Sequence, residues 1–341
     1  MKTFTRDYRI PHFESKIFDC YFGGRKLCVF DIETTGLSRT TGKVILTAML
    51  TLTDSGVRVT QFLAENYYEE NRVIKETLDF IKEEKIDYLV TYNGLNFDIP
   101  FFNARCEAVL PGSKLRLYNL DLYKFLRKHS CLPDRMSSMS QKSVEYYFGI
   151  SKTREDVING AESVKLYSEY AKTGNTVIEK LILTHNREDV TQLYTLLLLA
   201  GKRDFEDILK CSCLHEAFAC YGFPNGDTVI RAAFDIKHKA LRINGDQLAN
   251  SVSVELFNDE EQKYTASFNK ELNSITATVQ IETYNEIPFI NIKALGLNEE
   301  LRELDSYENG FLILGDGEKL DYKSLNAFSA AFVNMIIDRY C

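Results

Sequence analysis

The sequence predicts an α/β fold for residues 1–203, with a mixed sheet flanked by helices, followed by a smaller, β-rich α+β domain over residues 204–341. Strand-like and helix-like patterns alternate in the first part, whereas the second part has mainly short apolar runs. The charge changes at the same point. Of 41 Lys and Arg and 49 Asp and Glu residues, the first part has 29 and 26, and the second has 12 and 23. These observations indicate two domains with different surfaces.

The sheet of the first domain is expected to include residues 27–33, an apolar run that ends in acids before a Thr-Thr-Gly turn. The runs 44–53 and 57–63 are separated by an Asp-Ser-Gly turn sequence, so three adjacent antiparallel strands are predicted. Apolar residues at helical spacing predict a helix over 69–85, and a strand is predicted at 88–92. Further helices are predicted over 98–109, 121–129, 140–147 and 175–201.

The second domain has weaker patterns. A helix is predicted at its start, over 204–220, and an amphipathic helix near its end, over 323–338. The pair Asn244-Gly245 predicts a turn. Strands are predicted over 228–234, 251–257 and 275–281. Because this domain is acidic, we expect it to bind a protein partner or to shape a cleft rather than to grip phosphates.

The sequence favours a reducing compartment. It has no run of about eighteen apolar residues, long enough to cross a membrane, and no apolar signal segment at its start, so we expect a cytoplasmic protein without membrane contact. Its eight cysteines are expected to be free thiols. Cys211, Cys213 and His215 superficially suggest zinc, but their spacing is poor, and buried thiols in a helix are the favoured interpretation.

The net charge of −8 argues at first sight against a nucleic-acid partner, because phosphates favour basic surfaces. The acidity lies in the second domain, however, and residues 116–154 are rich in Lys and Arg. This segment is interpreted either as a track for phosphates or, equally well, as a solvated helix face. Its basic residues are Arg116, Lys124, Arg127, Lys128, Arg135, Lys142, Lys152 and Arg154.

Asp31 and Glu33 stand two residues apart at the end of the first predicted strand, so both side chains leave the same face. Two buried carboxylates side by side are costly unless a divalent cation compensates them, and carboxylate oxygens suit Mg²⁺ or Mn²⁺. An ordinary exposed strand end is the alternative, because Asp-x-Glu is common. The pair alone only suggests a metal site.

Two further segments contain acids at notable positions. Asp98 follows a strand and a polar turn and precedes an apolar helix, so by itself it is typical of a helix N-cap. His185 and Asp189 are four residues apart in a predicted helix and can converge on one point, with a solvent-facing ion pair as the alternative. Asp121 is favoured as a helix cap over an acid that supports the metals.

Together, three segments resemble the exonuclease motifs of the DEDD superfamily, on a ribonuclease H-like fold, in their order and spacing. They are Phe-Asp-Ile-Glu-Thr-Thr-Gly-Leu at 30–37, Tyr-Asn-Gly-Leu-Asn-Phe-Asp-Ile-Pro-Phe at 92–101 and His-Asn-Arg-Glu-Asp-Val at 185–190. They look most like the bacterial YprB-type branch, which residues 119–122 and 141–167 also resemble. The resemblance covers about residues 25–202.

The resemblance implies a 3′-5′ exonuclease that hydrolyses phosphodiesters to 5′ mononucleotides with two divalent ions, Mg²⁺ or Mn²⁺. The implied metal ligands are Asp31, Glu33, Asp98 and Asp189. Asp31 would bridge both ions, and Asp98 would hold the second ion partly through water. The implied partner is a single-stranded 3′ end, and its candidate contacts are Thr34, Asn93, Asn96 and Phe97. For the Phe97 ring, packing in the core is the favoured alternative.

His185 departs from the superfamily's register. The two main subtypes place either a tyrosine four residues or a histidine five residues before the last Asp, whereas His185 stands four residues before Asp189. Thr184, at the five-before position, cannot serve as a base. We interpret His185 as the group that orients and deprotonates the attacking water, since an imidazole titrates near neutrality.

Two other functions stay open. A catalytically silent module that binds nucleic acid or protein could keep this fold, although all four acids are present. An endonuclease could use the same carboxylates in an open cleft. A 3′-blocked or circular substrate distinguishes the second alternative.

Overall fold

A computed structural model describes residues 1–12, 22, 24–129, 132–150, 154–155, 158, 160–202, 216–223, 226–235, 239–247, 253–256, 264–272, 274–316 and 320–340. The chain divides into two compact units. One comprises Met1–Ser15 and Gly24–Ser212, and the other comprises Lys16–Gly23 and Cys213–Cys341. Each unit has its own hydrophobic core.

The first unit is built on a six-stranded sheet. Its strands are β1 (Lys2–Tyr8), β2 (Leu27–Thr34), β3 (Val44–Thr53), β4 (Gly56–Leu63), β5 (Tyr88–Thr91) and β6 (Tyr118–Asp121), in the order β1-β4-β3-β2-β5-β6. The first four in this order pair antiparallel, and β2, β5 and β6 pair in parallel. The strand β2 therefore lies inside the sheet between one antiparallel and one parallel neighbour, which explains why nearly all its residues are buried.

Helices cover this sheet. They are α1 (Glu70–Glu83), α2 (Asp98–Val109), α3 (Leu122–His129), α4 (Leu132–Arg135), α5 (Gln141–Tyr147), α6 (Gly160–Thr173) and α7 (Thr176–Lys202). The long helix α7 packs against β2, β3 and β4, and α1 packs against β3 and β4. The apolar stripe of α1 supplies Val73, Ile74 and Ile81 to the core.

This architecture confirms the mixed sheet flanked by helices that the sequence predicts. The predicted strands at 27–33, 44–53 and 57–63 are present, and they pair as predicted. The patterns missed β1, because it is an edge strand whose side chains are mostly exposed and which lacks a continuous apolar face. They also missed β6 and α6.

The second unit is β-rich, as predicted. Its larger sheet contains β7 (Glu216–Phe223), β8 (Gly226–Asp235), β9 (Ala240–Gln247), β10 (Val254–Leu256), β11 (Tyr264–Asn269) and β12 (Ser274–Gln280). These strands are antiparallel, in the order β10-β11-β12-β9-β8-β7. A smaller sheet contains β13 (Glu282–Tyr284), β14 (Ile287–Asn291), β15 (Tyr307–Glu308) and β16 (Phe311–Ile313). The helices are α8 (Ile292–Leu295), α9 (Asn298–Leu301) and α10 (Tyr322–Tyr340), and α10 includes the helix predicted over 323–338.

Two predictions for this unit are wrong. Residues 216–220, assigned by their pattern to a helix, lie in β7 and pair with β8. Asn244-Gly245, expected to form a turn, lies inside β9, where both residues pair with strands on either side. Pairing on both sides overrides the local turn preference of these two residues.

Cys28 and Cys106 are free thiols in the core of the first unit, as expected. Cys211, Cys213 and His215 lie outside the described residues. In the described ranges, no helix is both long and apolar enough to cross a membrane.

Candidate active site

Two acids lie at the carboxyl end of β2. Asp31 and Glu33 leave the same face of the strand, and Ile32 between them belongs to the core. Glu33 is buried, whereas Asp31 is half-buried. The pairing of β2 with β3 shifts register between Glu33 and Thr34, so the regular ladder is interrupted beside the two carboxylates.

A third acid lies at the beginning of α2. Asp98 is the first residue of this helix and is buried, while Phe97 takes the N-cap position, so Asp98 is not the cap residue. The Ile32 amide donates a hydrogen bond to Asp98 Oδ1 at 3.3 Å. This contact attaches Asp98 directly to the strand segment that contains Asp31 and Glu33.

The loop before α2 is held by Asp121, the last residue of β6. Asp121 accepts hydrogen bonds from the amides of Asn93 at 2.8 Å and Leu95 at 3.0 Å. It also accepts one from the amide of Lys124 at 3.2 Å, in the first turn of α3, which agrees with its interpretation as a helix cap. Asn93 adopts a left-handed φ of 63° within this loop. A side chain at Gly94 would stand 2.3 Å from Thr91 Oγ1, so only glycine fits there.

The fourth acid and the histidine come from α7. His185 Nε2 lies 3.7 Å from Asp189 Oδ2, across one helical turn, and 3.6 Å from Glu33 Oε1 on the sheet. One ligand atom from each of these three residues lies within 4.8 Å of the others. His185 is therefore buried between two carboxylates rather than forming a solvent-facing ion pair, despite its departure from the familiar register.

Asp31 is positioned by a second residue of the same helix. Asn186 Nδ2 donates to Asp31 Oδ2 at 2.7 Å. Gln61 on β4 in turn donates from Nε2 to Asn186 Oδ1 at 2.8 Å and to the Leu183 carbonyl at 3.1 Å. Gln61 and Asn186 are both buried, so this chain of amides fixes the direction in which the Asp31 carboxylate points.

An arginine contacts the other oxygen of Asp189. Arg154 Nη2 donates to Asp189 Oδ1, and Arg154 Nη1 lies 2.7 Å from Oε2 of the fully buried Glu145. Gln141 Nε2 donates to both Glu145 Oε1 and the Asp189 carbonyl at 2.9 Å. Because its side chain is only 7% exposed, Arg154 is not a phosphate contact of the kind interpreted for residues 116–154.

Burial raises the pKa values of three of these acids. The pKa of Glu33 is raised to about 7, chiefly by burial; His185 opposes this rise and the Asp189 carboxylate adds to it. Burial likewise raises the pKa of Asp98 to about 7. The pKa of Asp31 is well above its ordinary value because of burial and the neighbouring carboxylates. Like charges therefore crowd this site, and a positive partner would relieve them.

The four acids and His185 line one open cleft of about 800 Å³. Its lining also includes Thr34, Asn93 and Phe97 among the candidate substrate contacts. Phe97 is half-buried, with its ring 5.4 Å from that of Phe101, so the ring both packs on the core and faces the cleft. Asn96 does not line the cleft. Its side chain donates to Asn93 Oδ1 at 2.7 Å, and it therefore supports the loop.

Comparison with known protein families identifies the superfamily of this chain. The family model of the RNase_H superfamily matches residues 28–200, just over half of the chain. The chain belongs to the RNase H superfamily.

The chain also has similarity to two archaeal polymerases. A DNA polymerase of Thermococcus hydrothermalis is 33% identical over 91 residues, which is 25% of this chain and 6% of that one. The family B DNA polymerase structure from Pyrobaculum calidifontis aligns with a TM-score of 0.41 and 16% identity, covering 92% of this chain and 46% of that one. The RNase H superfamily chain thus spans less than half the length of both.

Nucleases of this superfamily generally use divalent metals, and the donor set fits them. Carboxylate oxygens are the preferred ligands of Mg²⁺ and Mn²⁺, and Glu33, His185 and Asp189 lie close enough to share one ion. The crowding of buried like charges is a second observation in favour of a cation here.

Some residues of this site could not be identified from the sequence. In the sequence, the positive charge of Arg154 places it in the basic segment 116–154. The sequence does not reveal that this side chain is buried and paired with Glu145. Gln61 offers one weak signal, a large amide inside an apolar strand. Asn186 lies within the quoted motif beside His185, and its role becomes visible only when the fold places it against Asp31.

Because the pKa of Glu33 is raised, the stability of the metal-free protein should depend on pH. The folded protein retains the Glu33 proton up to about pH 7, whereas the unfolded chain releases it near the ordinary value of 4.5. The stability that this group contributes is therefore present at low pH and lost as the pH rises through about 7. In EDTA at pH 8, Glu33→Gln should raise the free energy of unfolding by up to about 3 kcal/mol, measured by urea denaturation.

The matched control for that experiment is Glu83→Gln, which changes an exposed acid on α1. It should leave the stability unchanged at pH 5 and at pH 8. If the difference between Glu33→Gln and wild type does not grow from pH 5 to pH 8, Glu33 does not have the raised pKa described here.

Proposed function

We propose that this RNase H superfamily protein is a DEDD-type 3′-5′ exonuclease, similar to the YprB-type branch, that releases 5′ mononucleotides from nucleic acid. One observation supports this proposal most: four carboxylates from three separate segments of the chain line the same cleft. Acids so far apart in the sequence would not meet there by chance, and a binding module has no evident use for four crowded acids.

The four acids would hold two divalent ions, Mg²⁺ or Mn²⁺. When bound, such ions neutralise charge on the phosphoryl oxygens and make water more acidic. The protein prepares for this by directing its carboxylates. Asn186 orients Asp31, the Ile32 amide orients Asp98, and Arg154 occupies Asp189 Oδ1, which leaves Oδ2 on the side of His185.

His185 has the position of a general base in this proposal. Its Nε2 lies within 4 Å of carboxylate oxygens on both β2 and α7, so a water bound among these acids would be within reach of the ring. The ring takes the proton of the attacking water, and the carboxylates on both sides stabilise the imidazolium that forms.

The wall of the cleft offers groups for the terminal nucleotide. Phe97 presents a ring edge or face to a base, and Asn93 presents a polar side chain to a sugar. Thr34 lines the same cleft, with its hydroxyl donating to the Gly36 carbonyl at 2.9 Å. We assign no substrate contact to Asn96, since its side chain supports the loop.

For the rest of the chain we propose an accessory role. Residues 204–341 have 12 basic and 23 acidic residues, a balance of −11, which disfavours contact with phosphates. We therefore propose that residues 1–203 form the catalytic domain and that the second domain binds a protein partner or shapes the cleft.

Digestion of defined ends tests the activity. The wild-type protein with Mn²⁺ is incubated with single-stranded DNA and RNA oligonucleotides that have either a free or a blocked 3′ end, and with a circular strand. We expect 5′ mononucleotides from free 3′ ends only. Cleavage of the circular strand would indicate an endonuclease, and binding without any hydrolysis would indicate a silent module.

A further inference from the structure

A second groove lies beside the candidate active site in the first unit. It has a volume of about 640 Å³, and its lining includes Arg135, Met136, Lys142, Ser143, Tyr146 and Tyr147. Lys142 lines both this groove and the cleft that contains the carboxylates. The groove therefore adjoins the cleft at Lys142, and none of its other residues has a part in the proposed hydrolysis.

Two exposed tyrosines on α5 line the groove. Tyr146 is 79% exposed and Tyr147 is 45% exposed, although adjacent aromatic rings are normally covered. The Tyr147 ring lies edge-to-face with Phe148 at 5.4 Å, which limits its movement. Exposed aromatic rings are surfaces on which unpaired bases stack, whatever their sequence.

Two cations lie beside these rings. The side chains of Arg135 and Lys142 are both exposed, and Lys142 Nζ reaches the Ile158 carbonyl at 3.0 Å. A groove that combines aromatic rings for bases with positive charges for phosphates is the recurrent arrangement of proteins that bind single strands. An apolar peptide would not use the two cations.

The groove is held at a fixed distance from the carboxylates. Gln141, at the start of α5, donates to the Asp189 carbonyl at 2.9 Å, and Tyr92 of the cleft donates to the Met139 carbonyl at 2.6 Å. From Gln141 to Tyr147 the helix advances about 9 Å. A stacked strand rises about 3.4 Å per nucleotide, so two or three stacked nucleotides would span the helix from Gln141, which lines the cleft, to Tyr147.

We propose that Arg135, Lys142, Tyr146 and Tyr147 form a binding groove for single-stranded nucleic acid, upstream of the 3′ end that enters the cleft. The direction of the strand rests on the proposed exonuclease function. The groove makes the protein sensitive to substrate length, because a dinucleotide does not reach the tyrosines and a dodecamer does.

Fluorescence anisotropy of the full-length protein with fluorescein-labelled dodecamers of thymidine and of uridine tests the groove. EDTA is present, so that binding is measured without hydrolysis. The double variant Tyr146→Ala, Tyr147→Ala should bind at least about tenfold more weakly than wild type. The double variant Tyr146→Phe, Tyr147→Phe should retain its affinity, because the rings remain. Tyr284→Ala, which removes a 72% exposed tyrosine of the second unit, is the matched control and should change nothing.

Salt dependence tests the cations separately. In the double variant Arg135→Ala, Lys142→Ala, the slope of log affinity against log salt should fall by about 0.7 for each phosphate that the protein no longer neutralises. With Mn²⁺, the tyrosine-to-alanine variant should show a raised KM for the dodecamer and an unchanged kcat/KM for a dinucleotide.

Two results would overturn the groove: wild type that does not bind either dodecamer in EDTA, or a folded tyrosine-to-alanine variant that binds as tightly as wild type. Unchanged melting of the variant establishes that it is folded. Groove binding as expected, without hydrolysis in Mn²⁺, would instead contradict the proposed function and leave the groove intact.

Discussion

Asp31→Asn should reduce Mn²⁺-dependent degradation of single-stranded oligonucleotides at least about a thousandfold. Divalent ions contribute several kcal/mol to such hydrolysis, and each 1.36 kcal/mol corresponds to a factor of ten in rate. Asparagine keeps the size of the side chain and an oxygen that can accept the hydrogen bond from Asn186, so the change removes charge and little else.

Two further measurements and a control variant make this result decisive. Calorimetric titration should show weaker Mn²⁺ binding in Asp31→Asn, and thermal melting in EDTA should show a protein at least as stable as wild type. Asp54→Asn, at an exposed hairpin position, is the matched control and should leave both rate and metal binding unchanged. Asp189→Asn should show the same loss of rate and of Mn²⁺ binding, and undiminished activity in either variant would end the assignment of these acids.

His185→Ala should lower kcat between about a hundredfold and ten-thousandfold, the range found when a positioned acid or base is lost. At saturating Mn²⁺, the wild-type rate should fall toward acid pH, because a protonated imidazole cannot accept a proton, and this fall should be weaker in the variant. The four carboxylates remain in His185→Ala, so its affinity for Mn²⁺ should change little.

The metal affinity separates two roles for His185. Its Nε2 lies as close to Glu33 and Asp189 as a metal ligand would, so a large loss of Mn²⁺ affinity in His185→Ala would identify a ligand instead of a base. His12→Ala is the matched control. His12 is exposed, with its ring beside the Thr53 carbonyl, and its removal should leave the rate unchanged.

The interior of the fold could be predicted from sequence, and its margins could not. The strand β2 is buried on both faces, so its apolar run is continuous and easily recognised. The edge strand β1 has little to bury, so its residues show no comparable pattern. In β9, Asn244-Gly245 has the local preference of a turn, but partners on both sides keep it extended, and a local pattern contains no information about such partners.

The same distinction applies to the site. The four acids could be proposed because their motifs are local in sequence, and the fold places all four in one cleft. The groups that orient them are separated from them by long stretches of chain. Gln61 acts on Asp31 through Asn186, and Arg154 is held by Glu145, so neither role could be inferred before the fold was known.

The three hydrogen bonds that the Asp121 carboxylate accepts affect how a ligand would bind in the cleft. One carboxylate holds the amides of Asn93, Leu95 and Lys124, and it thereby fixes the loop that faces the cleft. A ligand that contacts Asn93 or Phe97 meets a surface that is already ordered, so association loses little conformational entropy in the protein. In the proposed exonuclease, preorganisation of this kind would help the cleft to hold a single terminal nucleotide, which has few atoms to contribute.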